Sequence, residues 1–170
     1  PYSTVSEVNP EAQDCLDWGA AAAAEIADRR PDAVVTLASR DVRPGLTEQT
    51  PTGFVDRWWE LDSLGIPVLA VRDNPRFDHS PAECLAQLGR GEPACGVERA
   101  AVYADDPPWT QRGDVPPNVT FLDLADSLCG EVCPAEKGNV LVYMDDNHLT
   151  ASFTATLAPV IEDQVRAAIG

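Results

Sequence analysis

Short apolar runs alternate along this chain with segments whose apolar positions recur every third or fourth residue. Ala33–Ala38 (AVVTLA), Ile66–Val71 (IPVLAV), Val119–Leu122 (VTFL) and Val140–Tyr143 (VLVY) are bounded by turn residues and read as strands buried on both faces. Cys15–Arg30 reads as a helix, with Cys15, Trp18, Ala22 and Ile26 on one face and Pro31-Asp32 as its stop. Further helices are expected at Phe54–Leu64, ending at Gly65, at Pro81–Leu88 with proline in its first turn, and at Val97–Ala104. A short helical turn is expected at Leu124–Leu128. A last helix runs from Ala151 to Ala168, where Phe153, Leu157, Ile161, Val165 and Ile169 mark the buried face and Pro159 a kink.

Strands alternating with helices predict an α/β fold: a parallel sheet covered by helices on both faces. Sites in such folds gather at the carboxyl ends of the strands. Three loops are predicted to leave those ends: Ser39–Arg43, Arg72–Phe77 and Met144–Leu149. Residues 1–14 are polar and irregular and read as a linker or loop, leaving 15–170 as one domain.

Charge narrows the class of partner. The 170 residues carry 28 acidic against 12 basic side chains, a formal charge of −16, which repels phosphate backbones and argues against nucleic acid. No stretch approaches the ~18 consecutive apolar residues of a membrane-spanning helix.

The five cysteines divide into two local pairs, Cys84/Cys95 and Cys129/Cys133, with Cys15 left over. Two local pairs point to disulfides and an oxidising compartment. Zinc is the rival reading, but the only histidines, His79 and His148, lie outside any Cys-x-x-Cys setting. Free thiols in a reducing compartment are the plain alternative. An unpaired Cys15 suggests a partner cysteine elsewhere.

The densest chemistry lies in VLVYMDDNHLTASF, Val140–Phe153. Asp145, Asp146, Asn147 and His148 follow the strand, and Thr150 is placed to cap the last helix. A histidine in so short a loop reaches back to a carboxylate two or three residues earlier. That contact fixes its tautomer and leaves the other ring nitrogen as a general base. Asp145 is the first choice for that carboxylate and Asp146 the second. The same residues would serve equally as a solvated surface loop. A calcium loop from Asp145, Asp146, Asn147 and Asp123 is a weaker possibility, since the glycine and spacing of an EF-hand are missing.

The order and spacing of four blocks resemble the SGNH/GDSL hydrolases, and in particular the SGNH domain attached to membrane-bound O-acyltransferases of cell-surface glycans. The blocks are PDAVVTLASR (Pro31–Arg40), GIPVLAVRDNPRF (Gly65–Phe77), LDLADSLCGEVCP (Leu122–Pro134) and YMDDNHLTASF (Tyr143–Phe153), together spanning about 15–168. The resemblance implies a three-layer α/β/α fold with a flavodoxin-like parallel sheet. It also implies ester hydrolysis or acyl transfer by Ser, His and Asp, with His148 and Asp145 as two of the three. No metal or organic cofactor is implied, because a general base and an oxyanion hole suffice. The implied substrate is an acylated glycan or another acyl ester. The implied location is the extracellular or periplasmic face of a bacterial membrane, with tethering through an upstream membrane domain.

The family's serine belongs to a Gly-Asp-Ser block after its first strand, and this sequence has no such block. Ser39 ends a strand but lacks the preceding Gly-Asp. Asp126-Ser127 lies late in the chain, beside the cysteine loop. The expectation is therefore an upstream segment carrying the first strand, the serine and a cysteine for Cys15. A non-catalytic carbohydrate-binding or partner-docking relative of the fold is the alternative. Around the expected site, Arg40 offers an oxyanion or carboxylate contact or a surface ion pair, and Arg72, Asp73 and Asn74 line another strand-end loop. Trp58, Trp59 and Trp109 suit a core better than sugar stacking. Asn118 begins a sequon whose strand-edge position favours a structural role.

Overall fold

In the computed structural model, which describes residues 13–169, the elements run α1 (Gln13–Arg29), β1 (Val34–Leu37), α2 (Thr52–Ser63), β2 (Val68–Val71), α3 (Pro81–Leu88), β3 (Val97–Glu98), α4 (Arg99–Val102), β4 (Val119–Leu122), α5 (Ala125–Leu128), β5 (Val132–Cys133), β6 (Glu136–Lys137), β7 (Val140–Leu141) and α6 (Ala151–Ile169). The first, second and fourth strands form one parallel sheet in the order β1-β2-β4. Val34 pairs with Val68, and Val68 with Val119, so all three strands start and end level. The chain is an α/β protein, as its periodicity predicts. The linker expected over residues 1–14 lies almost wholly outside the described residues; Gln13 and Asp14 already belong to α1.

The alternation of β2 separates two cores. Val68 and Ala70 face α2, where they pack with Phe54, Val55, Trp58, Leu61 and Trp109. Val71 faces the other side, where Phe77, Val142, Tyr143, Phe153 and Leu157 cluster. The expected stripe of α6 supplies Phe153 and Leu157, each 4% exposed, and the helix runs on through Pro159. Trp58 and Trp109 are core residues, and Trp109 stacks on Phe121 with centroids 4.7 Å apart. Trp59 is half exposed and donates to the Asp114 carbonyl at 2.8 Å. Asn118 donates to the Ile66 carbonyl at 2.8 Å, a structural role.

Three expectations are corrected. VLVY is not a strand of the parallel sheet. Only Val140–Leu141 is extended, and it pairs antiparallel with β6 across the two-residue turn Gly138-Asn139. Gly138 takes φ +60 there, which suits the first position of a tight hairpin turn, so local pairing outcompetes a place in the sheet.

The helix expected over Val97–Ala104 is shortened to α4, because Val97–Glu98 pairs antiparallel with β5. A Cβ at Gly96 would lie 2.8 Å from Val132 Cγ1 and 2.9 Å from the Cys133 carbonyl, so only glycine permits that approach.

The expected buried face of α1 is also only half right. Ala22 and Ile26 are half-buried, but Cys15 is exposed and Trp18 is 65% exposed. A helix of 17 residues is about 25 Å long, against about 13 Å for the four-residue strand β1, and of α1 it is Ala23 and Ile26 that line the groove along that strand.

Both local cysteine pairs form disulfides, Cys84–Cys95 and Cys129–Cys133, and Cys15 is free. Two disulfides suit an oxidising, extracellular or periplasmic setting. Among the described residues no helix is long and apolar enough to cross a membrane.

Candidate active site at the strand ends

Leaving β7, the chain makes a small closed loop. Tyr143 and Leu149 form an antiparallel bridge, and the Met144 amide donates to the His148 carbonyl at 2.8 Å. Thr150 ends the loop and caps α6: its Oγ1 accepts from the Phe153 amide at 3.1 Å and donates to the Leu141 carbonyl at 2.6 Å. The sequence Asp-x-x-His-x-Thr thus folds as a loop because both of its exits are hydrogen-bonded.

Inside the loop Asp145 collects three donors. Its Oδ1 accepts from the amides of Asn147 at 2.9 Å and His148 at 2.7 Å. Its Oδ2 lies 2.7 Å from His148 Nδ1. Those two amides and the imidazole hold the Asp145 carboxyl down at about 2. A carboxylate only accepts, so Nδ1 carries the ring proton and Nε2 is left as an acceptor. The imidazole is 66% exposed, open to a reactant rather than packed away.

Asp146, the second choice, turns elsewhere. Its carboxylate faces Arg76 at 3.7 Å, and its carbonyl accepts from the Phe77 amide at 2.8 Å. Asn147, oriented so that its side-chain oxygen meets a donor, accepts from Arg76 Nη2 at 3.0 Å. The Asn74 side chain donates to the Asn147 carbonyl. The loop carrying His148 is thereby fastened to the loop leaving β2, although β7 is not part of the sheet. Of the acids weighed for a calcium loop, Asp145 is engaged within its own loop, and Asp123 accepts from Arg72 at 3.0 Å and from the Ala125 amide at 2.9 Å.

At the start of the loop leaving β2 lies a charged cluster whose acidic partner, Glu48, the sequence pattern does not reveal. Arg72, its side chain 2% exposed, directly follows β2 and forks onto Glu48, its side chain 0% exposed, at 2.9 and 2.6 Å. Burial works against the charge on Arg72, but Glu48, with Asp123 adding, holds the guanidinium above its ordinary value. Its plane lies 4.4 Å from the Tyr103 ring centroid. Glu48 also accepts from Ser39 Oγ at 2.7 Å and from the Ala104 amide at 3.0 Å.

Ser39 is 0% exposed, donates to Glu48 and accepts from the Asp73 amide at 3.3 Å, so its hydroxyl is spent on structure. Burial raises the carboxyl of Asp73, against the opposing pull of the Asn74 amide and Arg76. Arg40 is exposed and pairs with Asp41 at 3.1 Å.

A separate apolar groove of about 360 Å³ runs along β1, lined among others by Ala23, Ile26, Leu61 and Leu64. Val35 of β1 is 69% exposed beside it. None of its lining residues belongs to the His148 loop.

A carboxylate–imidazole pair in a loop fixed to the strand ends of an α/β sheet is an arrangement shared by serine-dependent hydrolases. The family model described as SGNH domain (fused to AT3 domains) matches residues 1–163. The chain belongs to that family of SGNH domains, which is of the esterase and acyltransferase type of hydrolase. No curated protein and no solved structure matches it.

Proposed function

We propose that this domain transfers or hydrolyses O-acyl groups of cell-surface glycans by a Ser-His-Asp mechanism, with the serine supplied from a segment upstream of Pro1. The observation that carries this reading is the 2.7 Å contact between His148 Nδ1 and Asp145 Oδ2 in an exposed loop of a chain of this family. Asp145 fixes the tautomer and stabilises the imidazolium. His148 Nε2 takes the proton of the attacking hydroxyl and returns it to the leaving alcohol. An acyl-enzyme on the serine is then resolved by water, giving hydrolysis, or by a glycan hydroxyl, giving transfer.

Three features support an outside nucleophile. Ser39 has both hydrogen-bonding capacities of its hydroxyl engaged. Among the described residues β1 is an edge of the sheet, with the exposed Val35 and the apolar groove alongside, a surface suited to one more strand. Cys15 is exposed and free on the adjoining helix. On this reading a membrane domain upstream holds the domain at the extracellular or periplasmic face.

The test is to express the domain with its upstream segment, label it with a fluorophosphonate and map the adduct by mass spectrometry. The adduct is expected on a serine preceding Pro1. Labelling of Ser39, or of any other serine within the 170 residues, would contradict the assignment. An intact domain that never labels would favour the carbohydrate-binding or docking alternative.

A further inference from the structure

The His148 ring is exposed, and among the described residues its side chain has one polar contact, to Asp145. Its aim therefore depends on the backbone that carries it. Both amides that fix Asp145 belong to residues 147 and 148. A rotation of the peptide linking them would move the carboxylate and the imidazole together.

That peptide is held from outside the loop. Asn74 Nδ2 donates to the Asn147 carbonyl across 73 positions of sequence. Asn74 is itself held, because its amide donates to Asp73 Oδ1 at 3.0 Å. The Asp73 backbone is pinned on both sides: its N–H donates to Ser39 Oγ at 3.3 Å, and its carbonyl accepts from Tyr103 Oη at 3.0 Å. Ser39 is fixed by Glu48, and Tyr103 lies against Arg72. A continuous series of polar contacts thus runs from the buried Glu48–Arg72 pair, at the end of the central strand, to the peptide in front of His148.

We propose that Asn74 is a positioning residue for His148, its side-chain amide locking the 147–148 peptide so that Asp145 and the imidazole stay in register. The proposal rests on the reading of His148 as general base for its functional meaning, but not for its geometry. Asn74 touches no reacting atom. It ties the catalytic loop, which lies outside the parallel sheet, to the sheet's central strand. An alanine there removes the hydrogen bond to the Asn147 carbonyl, and with it a longer one of 3.4 Å to the Pro75 carbonyl, while the backbone N–H of residue 74 can still donate to Asp73 Oδ1.

The test is NMR on the full 170-residue chain. Nitrogen-15 shifts of the His148 ring report its tautomer, and carbon-13 shifts report the titration of the Asp145 carboxyl. The unaltered chain is expected to hold a single Nδ1-protonated tautomer when neutral. Asn74→Ala is expected to give a mixture of tautomers and to move the Asp145 titration upward from about 2. Asn74→Gln, which keeps an amide donor, restores both in part. If Asn74→Ala does not fold, Asn74→Ser, too short to reach the Asn147 carbonyl, takes its place.

In the domain joined to its upstream segment, Asn74→Ala should lower kcat about tenfold, the scale of one lost hydrogen bond, with KM held within about twofold. A tautomer and an Asp145 titration unchanged in Asn74→Ala would overturn the proposal, as would a loss of turnover carried wholly by KM. Absence of ester turnover in every version would sink the catalytic reading alone, since the ring and carboxyl signals do not depend on it.

Discussion

Glu48→Gln is the sharpest test of what holds the strand ends together. Glu48 receives four hydrogen bonds: two from Arg72, one from Ser39 and one from the Ala104 amide. Both partners of the ion pair are shut away from water, with side chains 0% and 2% exposed. The amide keeps the shape but removes the charge and turns an NH2 group toward donors. Arg72 then keeps one carboxylate, Asp123, whose side chain is 36% exposed, besides the Ala104 carbonyl at 2.9 Å and the Tyr103 ring. Breaking one side of a buried pair costs about 3–5 kcal/mol, and the surviving Asp123 contact puts this case near the lower figure. With a urea slope of about 2 kcal/mol/M, the unfolding midpoint should fall by about 1.5 M. Trp58 and Trp109 are buried, so their fluorescence reports the transition. Replacing both partners, as Glu48→Leu with Arg72→Met, should cost clearly less than the two single losses added, because no uncompensated charge remains between them. A midpoint shift for Glu48→Gln below about 0.5 M, or roughly 1 kcal/mol, would refute the claim that the pair is dry and clamps the loops.

Two further outcomes follow from the same structure. The disulfides close loops of different length, with separations of 11 and 4 residues. Chain entropy then makes Cys84–Cys95 worth about 3 kcal/mol and Cys129–Cys133 about 2 kcal/mol, so the paired alanine replacement at Cys84 and Cys95 should lower Tm more in a calorimetric scan. Asp145 sits at about 2 in the folded chain, against an ordinary value of 3.8. A depressed folded-state value adds stability that is fully present above the ordinary value and lost as pH falls through the folded one. In acid titrations between pH 4 and 2, His148→Ala should therefore flatten the pH dependence of stability, by removing one of the donors that hold the carboxylate; an unchanged slope would contradict the contact.

The parts of this fold that the sequence reveals are those whose cause is local. β1, β2 and β4 are short β-branched runs between turns, and the α6 face repeats every fourth residue. Thr150 caps where its position suggests, and the Asp145–His148 contact spans three residues, close enough to read from spacing. Both disulfides join near neighbours. The misjudged parts depend on competition or on distance. Val140–Tyr143 has the composition of a sheet strand, but Gly138-Asn139 offers a nearer antiparallel partner. Cys15 and Trp18 have a helix's apolar spacing, yet both are exposed in the first turns of a helix much longer than β1. Glu48 lies in a loop without periodicity, 24 residues from Arg72, and Asn74 lies 73 from Asn147. Contacts at such separations leave no rhythm in one sequence; a lone glutamate in a polar loop looks like solvated surface until the fold buries it.

The most direct test of the central claim is the pH-dependent turnover of an acyl ester by the domain joined to the upstream segment proposed above, compared with His148→Ala and Asp145→Asn. If His148 is the general base proposed above, His148→Ala should lower kcat by about 10²–10⁴-fold with KM little changed, and Asp145→Asn should fall in the same direction. Turnover by His148→Ala equal to that of the unaltered domain would contradict the account.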